Sequence, residues 1–305
     1  MSRVSLGLCS DQRNYSGSDN WATHSKSDKS AVSLRIMLHV PLPLRVMCFN
    51  VRCSSAMGDG ENHWSKRREV LFRTIERFDP DLLGLQEVIS DQADEIRARF
   101  AKTHTFVGVG REDGKRKGEF AAILFRSNRF ELLDQGHIWL SEQPESPGSV
   151  SWDSSLTRMA SWVKLRDKQN GSRGEFIFLN THFDHIGEIA RLESAKLLEK
   201  RLNELSNGRL AVIFAGDLNC TEDDSPLPVL LQRLADAYRK VHPRREPDEQ
   251  TFHGFEGETQ GSRIDFILHS PQFHATQCDI DRSNEAGRYP SDHFPVTCIM
   301  NWSQT

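Results

Sequence analysis

Apolar runs of strand length in this chain end repeatedly on short clusters of Asn, Asp, Glu and His. Asn50 closes the first such run and Gln86-Glu87 the second. Asn180-Thr181-His182 and Gly216-Asp217-Leu218-Asn219 close two later ones, and Ser291-Asp292-His293 leads into the last. One carboxylate at a strand end is ordinarily a solvated turn residue. Five clusters carry more weight, because strand ends of packed sheets converge on one rim, where these side chains can form a single site.

From residue 44 onward, strand-like and helix-like segments alternate without a linker. Residues 45–51 form an apolar run short enough for a buried strand, and residues 64–78 carry Leu71, Thr74, Ile75 and Phe78 at helical spacing. Asp79-Pro80-Asp81 stops that helix, since proline disfavours the α conformation in the residue before it, and 82–86 reads as the next strand. A helix is predicted at 92–100 and strands at 120–125, 130–140, 162–165 and 175–180. Ile189, Leu192, Ala195, Leu198, Leu202 and Leu205 predict one face of a further helix, ended by Asn207-Gly208. Residues 210–215, 263–269 and 295–301 complete the strands. Several strands follow one another between helices, which fits two packed sheets with helices outside better than one parallel sheet of βαβ units.

Composition limits the functions open to such a fold. With 39 Lys+Arg against 43 Asp+Glu the formal charge is −4, which excludes a protein that coats polyanions through an excess of basic residues. No run reaches the roughly 18 apolar residues of a membrane span, so membrane contact would be peripheral. Six scattered cysteines without a CxxC pair offer neither a disulfide scaffold nor structural zinc. Residues 1–43 read as a disordered polar leader, or as the product of a start codon set too early. The absence of a small-residue cleavage site points to the cytoplasm rather than secretion.

The residue types in the clusters suit a hard divalent cation. Carboxylates with Asn carbonyls favour Mg²⁺ or Mn²⁺, which keep waters and substrate phosphate oxygens in their coordination sphere. Six blocks then occur in a telling order: RVMCFNVR (45–52), PDLLGLQEV (80–88), NTHFDH (180–185), GDLN (216–219), SRIDFIL (262–268) and SDHFPV (291–296). Their order resembles the endonuclease/exonuclease/phosphatase superfamily of deoxyribonuclease I-like, metal-dependent phosphoesterases. The details resemble the bacterial branch near the carbon-catabolite-repressor-type deadenylases.

That resemblance implies a four-layer α/β/β/α sandwich of two mixed sheets with outer helices, with 44–305 as the catalytic domain. It assigns the metal to Glu87, Asn50 and Asp292, with Mg²⁺ or Mn²⁺ as cofactor. It assigns water activation to Asp217, phosphate contacts to His182, Asn219 and His293, and the orientation of protonated His293 to Asp265. Asp265 and Asn180 could instead satisfy backbone groups at strand ends.

Arg158 could reach a phosphate or serve as a structural ion-pair partner, and His253 and Phe255 of the TFHGF segment are candidates for leaving-group contact. Trp64 and Arg67 belong to an NxW…R helix start, with Trp64 read as core. Asp184-His185 could bind a second metal or a substrate hydroxyl, and the basic loop Lys115-Arg116-Lys117 could meet an anionic substrate tail, but both are read first as solvated segments. The implied reaction is phosphoester hydrolysis of nucleic acid or of a small phosphorylated molecule. A nuclease or deadenylase is the first specific alternative. A binding protein that has lost catalysis would show a replaced catalytic position, and none is replaced.

Overall fold

The computed structural model describes residues 42–170 and 174–303; most of the expected leader, residues 1–41, lies outside them. Twelve strands and five α-helices follow in the order β1 (Leu44–Asn50), α1 (Trp64–Phe78), β2 (Leu82–Val88), α2 (Ser90–Phe100), β3 (His104–Val107), β4 (Phe120–Arg126), β5 (Phe130–Trp139), β6 (Met159–Asp167), β7 (Glu175–His182), α3 (Glu188–Ser206), β8 (Ala211–Asp217), α4 (Pro226–Leu230), β9 (Ala235–Asp236), α5 (Ala237–Val241), β10 (Asp265–His269), β11 (Phe273–Ile280) and β12 (Val296–Trp302). They form two six-stranded mixed sheets, ordered β11-β12-β1-β2-β4-β3 and β5-β6-β7-β8-β10-β9.

Strand β1 shows why these sequences stack in layers. Val46 and Cys48 point into the space between the sheets, where Phe176, Phe178 and Ile213 of the second sheet meet them. Met47 and Phe49 point the other way, against Leu71, Phe72 and Ile75 of α1 and Ile96 of α2. A strand covered on both faces must be apolar throughout, which is why its sequence shows a run rather than an alternation. The second sheet is covered on its outer face by α3 and α4 through Leu198, Leu202, Leu227 and Leu230. The result is the expected α/β/β/α sandwich.

The neighbours β1 and β2 run parallel, as do β7 and β8. Their C-terminal ends therefore lie at one end of the sandwich, and antiparallel β10 and β12 begin there. Asn180 crosses between the layers: its Nδ2 donates to Leu85 O and Ala122 O, each at 2.8 Å, and its Oδ1 accepts from Gln86 Nε2 at 2.6 Å. Gly84 permits this approach, since a Cβ there would stand 2.7 Å from Asn180 Oδ1.

Two features differ from the sequence reading. Edge strands β3, β9 and β11 were not expected. The buried face of α3 is Ala190, Ser194, Ala195, Leu198, Leu202 and Ser206, whereas Ile189 is exposed. The first turn of α3 is set by Asp153, whose carboxylate accepts from Ile189 N and Ala190 N, so Ile189 lies outside the packed stripe.

Candidate active site

Asn50, at the end of β1, joins the two sheets chemically. Its Nδ2 donates to Glu87 Oε1 at 3.0 Å and to Asp217 Oδ2 at 2.9 Å, while its Oδ1 accepts from Arg52 N. In this geometry the amide aligns two carboxylates through its N–H groups. Glu87 has φ near 60°, at the irregularity between Leu85 and Val88 in the β2–β4 pairing, so its side chain leaves the ladder toward the rim. Burial opposes ionisation of Glu87, but the Asn50 hydrogen bond, the His293 charge and the Cys53 N–H outweigh it and hold its pKa below the ordinary value.

Asp217 and Asp265 are Cα partners in the β8–β10 register. Burial, then the Asp265 charge, raises Asp217 to about 7. His293 Nδ1 lies 2.9 Å from Asp265 Oδ2, and its Nε2 lies 3.8 Å from Asp217 Oδ2. Burial opposes the charged imidazole; Asp265, Asp217 and Asp292 prevail and raise it to about 10. Asp265 Oδ1 is buried with no hydrogen-bond partner among the described residues.

His182, at the end of β7, is the opposite case. Burial, with the charges of Arg158 and Arg111, holds it well below its ordinary pKa, so it is neutral. Its Nε2 lies 3.0 Å from Asn219 Nδ2 and 3.5 Å from Asp217 Oδ2. An amide N–H facing Nε2 assigns the ring proton to Nδ1. Asn219 also donates to Phe183 O.

The strand-end pattern missed Glu119 and Arg111. Glu119 Oε2 accepts from Arg111 Nη1 at 2.6 Å and stands 3.8 Å from His182 Nδ1 and 3.9 Å from Arg158 Nη1. Both residues flank the basic loop, ahead of β4 instead of at a strand's C-terminal end. Arg158 is buried, and its Nε and Nη1 have no hydrogen-bond partner among the described residues; its Nη2 faces His185 Nδ1 at 3.0 Å.

Other expected residues border this cluster; His253 N donates to Asp292 O at 2.8 Å. His253 stacks on the Phe294 ring at 3.9 Å between centroids, and Phe255 packs against the Arg67 guanidinium. The ring of that segment that meets His293 is Phe252, 5.1 Å away and 48% exposed. Asp184 anchors its loop by accepting from Ser155, Ile186 and Gly187. Asp113 accepts from three successive N–H groups of the basic loop, and Arg116 and Lys117 pair with Asp94 and Glu112.

Oxygen atoms of Asp217 and Asp265 and a nitrogen of His293 lie within 4.8 Å of one another, close enough to hold a metal ion. Asp292 is a further carboxylate, raised by burial and by the Glu87 charge despite the nearby His293. A cation between Glu87 and Asp292 would relieve that repulsion, so this oxygen-rich rim fits a hard divalent ion. A tetrahedral phosphate is the group that would use such a cation together with the free N–H groups of Arg158 and the charged His293. Fold and site together thus fit a phosphoester hydrolase.

The comparison with known families agrees. The model of the endonuclease/exonuclease/phosphatase family matches residues 47–293, and the chain belongs to that family. It is 34% identical to a crystal structure of a family protein from Bacteroides thetaiotaomicron, covering 86% of this chain and 96% of that one with a TM-score of 0.80. It is also 34% identical to the mannosyl-6-phosphatase of Bacteroides thetaiotaomicron, covering 85% and 100% with a TM-score of 0.78. Mouse nocturnin is 23% identical over 300 residues, 86% of this chain and 66% of nocturnin. The chain spans 27% and 48% of the length of two further curated relatives. Among the described residues no helix is long and apolar enough to cross a membrane.

Proposed function

We propose that residues 44–305 form a divalent-cation-dependent hydrolase of a small phosphorylated molecule, with Mg²⁺ or Mn²⁺ held by Glu87 and Asp292. The observation that carries this reading is the placement of Asp217 between Asn50, Asn219 and two imidazoles. Its carboxyl, raised to about 7, is fixed by Asn50 Nδ2 and by Asn219 N, and two imidazoles flank it. A base whose pKa lies near the working pH is the most effective one.

In this reading Asp217 takes the proton of the attacking water as the water oxygen bonds to phosphorus and the bond to the leaving oxygen breaks. His293, kept protonated by Asp265, donates its Nε2–H to a phosphoryl oxygen. Arg158 donates from Nε and Nη1, and once the ester displaces the Asn219–His182 hydrogen bond, Asn219 Nδ2 donates to a remaining oxygen and the neutral His182 donates after moving its ring proton from Nδ1 to Nε2. Bound at Glu87 and Asp292, the cation would neutralise charge developing on the phosphoryl oxygens. The group of Asp217, Asp265 and His293 serves as the acid–base machinery in this account, because a protonated imidazole already occupies it.

A small substrate is favoured by the similarity to mannosyl-6-phosphatase, which extends over the whole of that chain, and by the net charge of −4. The second reading is cleavage of nucleic acid, as in a nuclease or deadenylase. It rests on the similarity to nocturnin and on exposed Phe252 beside His293, a ring on which a base can stack.

A panel of mannose 6-phosphate, an inositol phosphate, a phospholipid, single-stranded DNA, RNA and poly(A), each with Mg²⁺, Mn²⁺ or EDTA, separates the two. The highest kcat/KM is expected on a small phosphorylated compound, and faster turnover of RNA or poly(A) would establish the second reading. No turnover of any ester would leave a non-catalytic, phosphate-recognising protein.

A further inference from the structure

Arg67 is a buried charge behind the rim that the reaction described above does not use. Its side chain is fully buried, and no carboxylate hydrogen-bonds it among the described residues. Its donors go to the main chain instead. Nε donates to Asn62 O at 2.7 Å, Nη1 to Val51 O and to Pro290 O at 2.8 Å each, and Nη2 to Arg52 O at 2.8 Å. The rings of Trp64 and Phe255 flank the guanidinium at 5.4 and 5.5 Å.

These four carbonyls belong to three chain segments: the turn before α1, the exit of β1 and the entry to β12. The exit of β1 carries Asn50 and Arg52, and the entry to β12 carries Asp292. A second clamp joins the same two segments, since Ser291 Oγ donates to Asn50 O at 2.7 Å and also reaches Asp292 Oδ1 at 3.2 Å. Burying a cation without an anionic partner is costly, and an apolar side chain of similar volume would fill the space at less expense. What an apolar residue cannot do is hold two loops in one register. A guanidinium can, because its donors project in a fixed planar fork, and a lysine lacks that geometry.

We propose that Arg67 is a positioning residue of the cation site, fixing the spacing between the β1 exit with Asn50, which aligns Glu87, and Asp292 at the β12 entry. The proposal rests on the assignment of the cation to Glu87 and Asp292. It acts through the backbone, so it is expressed in cation affinity more than in the chemical step.

The test is calorimetric titration of the full chain with Mn²⁺ in the absence of substrate, comparing wild type with Arg67→Lys, Ser291→Ala and Arg129→Lys. Arg129 is a matched control, a buried arginine that pairs with Asp81 and Asp167 at the opposite end of the sandwich. Arg67→Lys is expected to weaken Mn²⁺ binding by about tenfold or more, the usual consequence of losing a group that orients a metal ligand. At saturating Mn²⁺ its substrate KM should stay close to wild type. Arg129→Lys should lower the melting temperature and leave Mn²⁺ affinity unchanged.

Arg67→Met, which fills the same space without the planar fork, is titrated as well and keeps the test decisive if Arg67→Lys does not fold; it should weaken Mn²⁺ in the same direction, and Ser291→Ala, which loses a direct contact with Asp292 besides the clamp, should do so too. Wild-type affinity in a folded Arg67→Lys or Arg67→Met, or in Ser291→Ala, overturns the positioning role. Failure of the wild type itself to bind Mn²⁺ overturns the cation assignment, a separate result.

Discussion

Asp217 and Asp265 face each other across the β8–β10 pair, and the imidazole of His293 bridges them, 2.9 Å from Asp265 and 3.8 Å from Asp217. Two buried carboxylates this close would repel each other; the shared imidazolium is what lets both remain. Asp265→Asn removes the charge that holds His293 protonated while keeping the side chain's shape. We expect kcat to fall by about a hundredfold or more, with a smaller change in KM, as for loss of a general acid–base partner. Steady-state kinetics check this, and a loss below threefold would count against the pair.

Arg158 Nε and Nη1 are buried without a hydrogen bond among the described residues, although Asp184 and Glu119 stand 3.5 and 3.9 Å from them, so a substrate oxygen can still gain by accepting from these groups. Arg158→Met should raise KM by roughly tenfold to a hundredfold and should also lower the melting temperature, because Asp184 and Glu119 lose their cationic neighbour. If Arg158 were a structural ion-pair partner alone, the melting temperature would fall and KM would hold.

The contact between Gly84 and Asn180 predicts non-additivity. Gly84→Ala places a methyl 2.7 Å from Asn180 Oδ1 and should destabilise the protein by about 1–3 kcal/mol. Asn180→Ala removes the side-chain donors to Leu85 O and Ala122 O and leaves Gln86 Nε2 only Cys48 Sγ, and should cost about 2–4 kcal/mol. In the double variant the alanine methyl meets no amide, so the combined loss measured by urea denaturation should be smaller than the sum.

Stability should also fall on acidification through His137. Burial lowers this imidazole from its ordinary 6.5 to about 4, beside Ser161 Oγ at 3.0 Å. The unfolded chain therefore binds the proton first. The stabilisation is complete above about 6.5 and is lost as pH falls toward 4. His137→Gln removes the titration, and its stability plotted against pH should be shallower across that window by up to one proton's worth of slope. Parallel curves would show that His137 does not contribute.

Much of the fold and site could be read in advance because both rest on patterns with one dominant cause. Strands β1, β2, β7 and β8 are covered on both faces, so each is an apolar run ended by the polar residue that reaches the rim, as Asn50, Glu87, His182 and Asp217 do. Strand β11 was missed for the complementary reason. It is an edge strand with alternating exposure, and the register shift between Ala275 and Gln277 breaks its two-residue period. Short α4 and α5 offer too few residues for helical spacing to register. Glu119 and Arg111 were missed because their place depends on the basic loop folding back through Asp113, a tertiary fact. Phe255 was named as a candidate from the TFHGF segment; in the structure its ring lies against Arg67, and Phe252 of the same segment is the ring beside His293.

The most direct test of the account compares hydrolysis of a phosphate ester by wild type and Asp217→Asn, with Mg²⁺, with Mn²⁺, and with EDTA followed by restored cation. The account predicts turnover that EDTA abolishes and added cation restores, and a fall of at least about 10³-fold in kcat for a variant that remains folded. Turnover that persists in EDTA, or a folded Asp217→Asn with wild-type kcat, would contradict it.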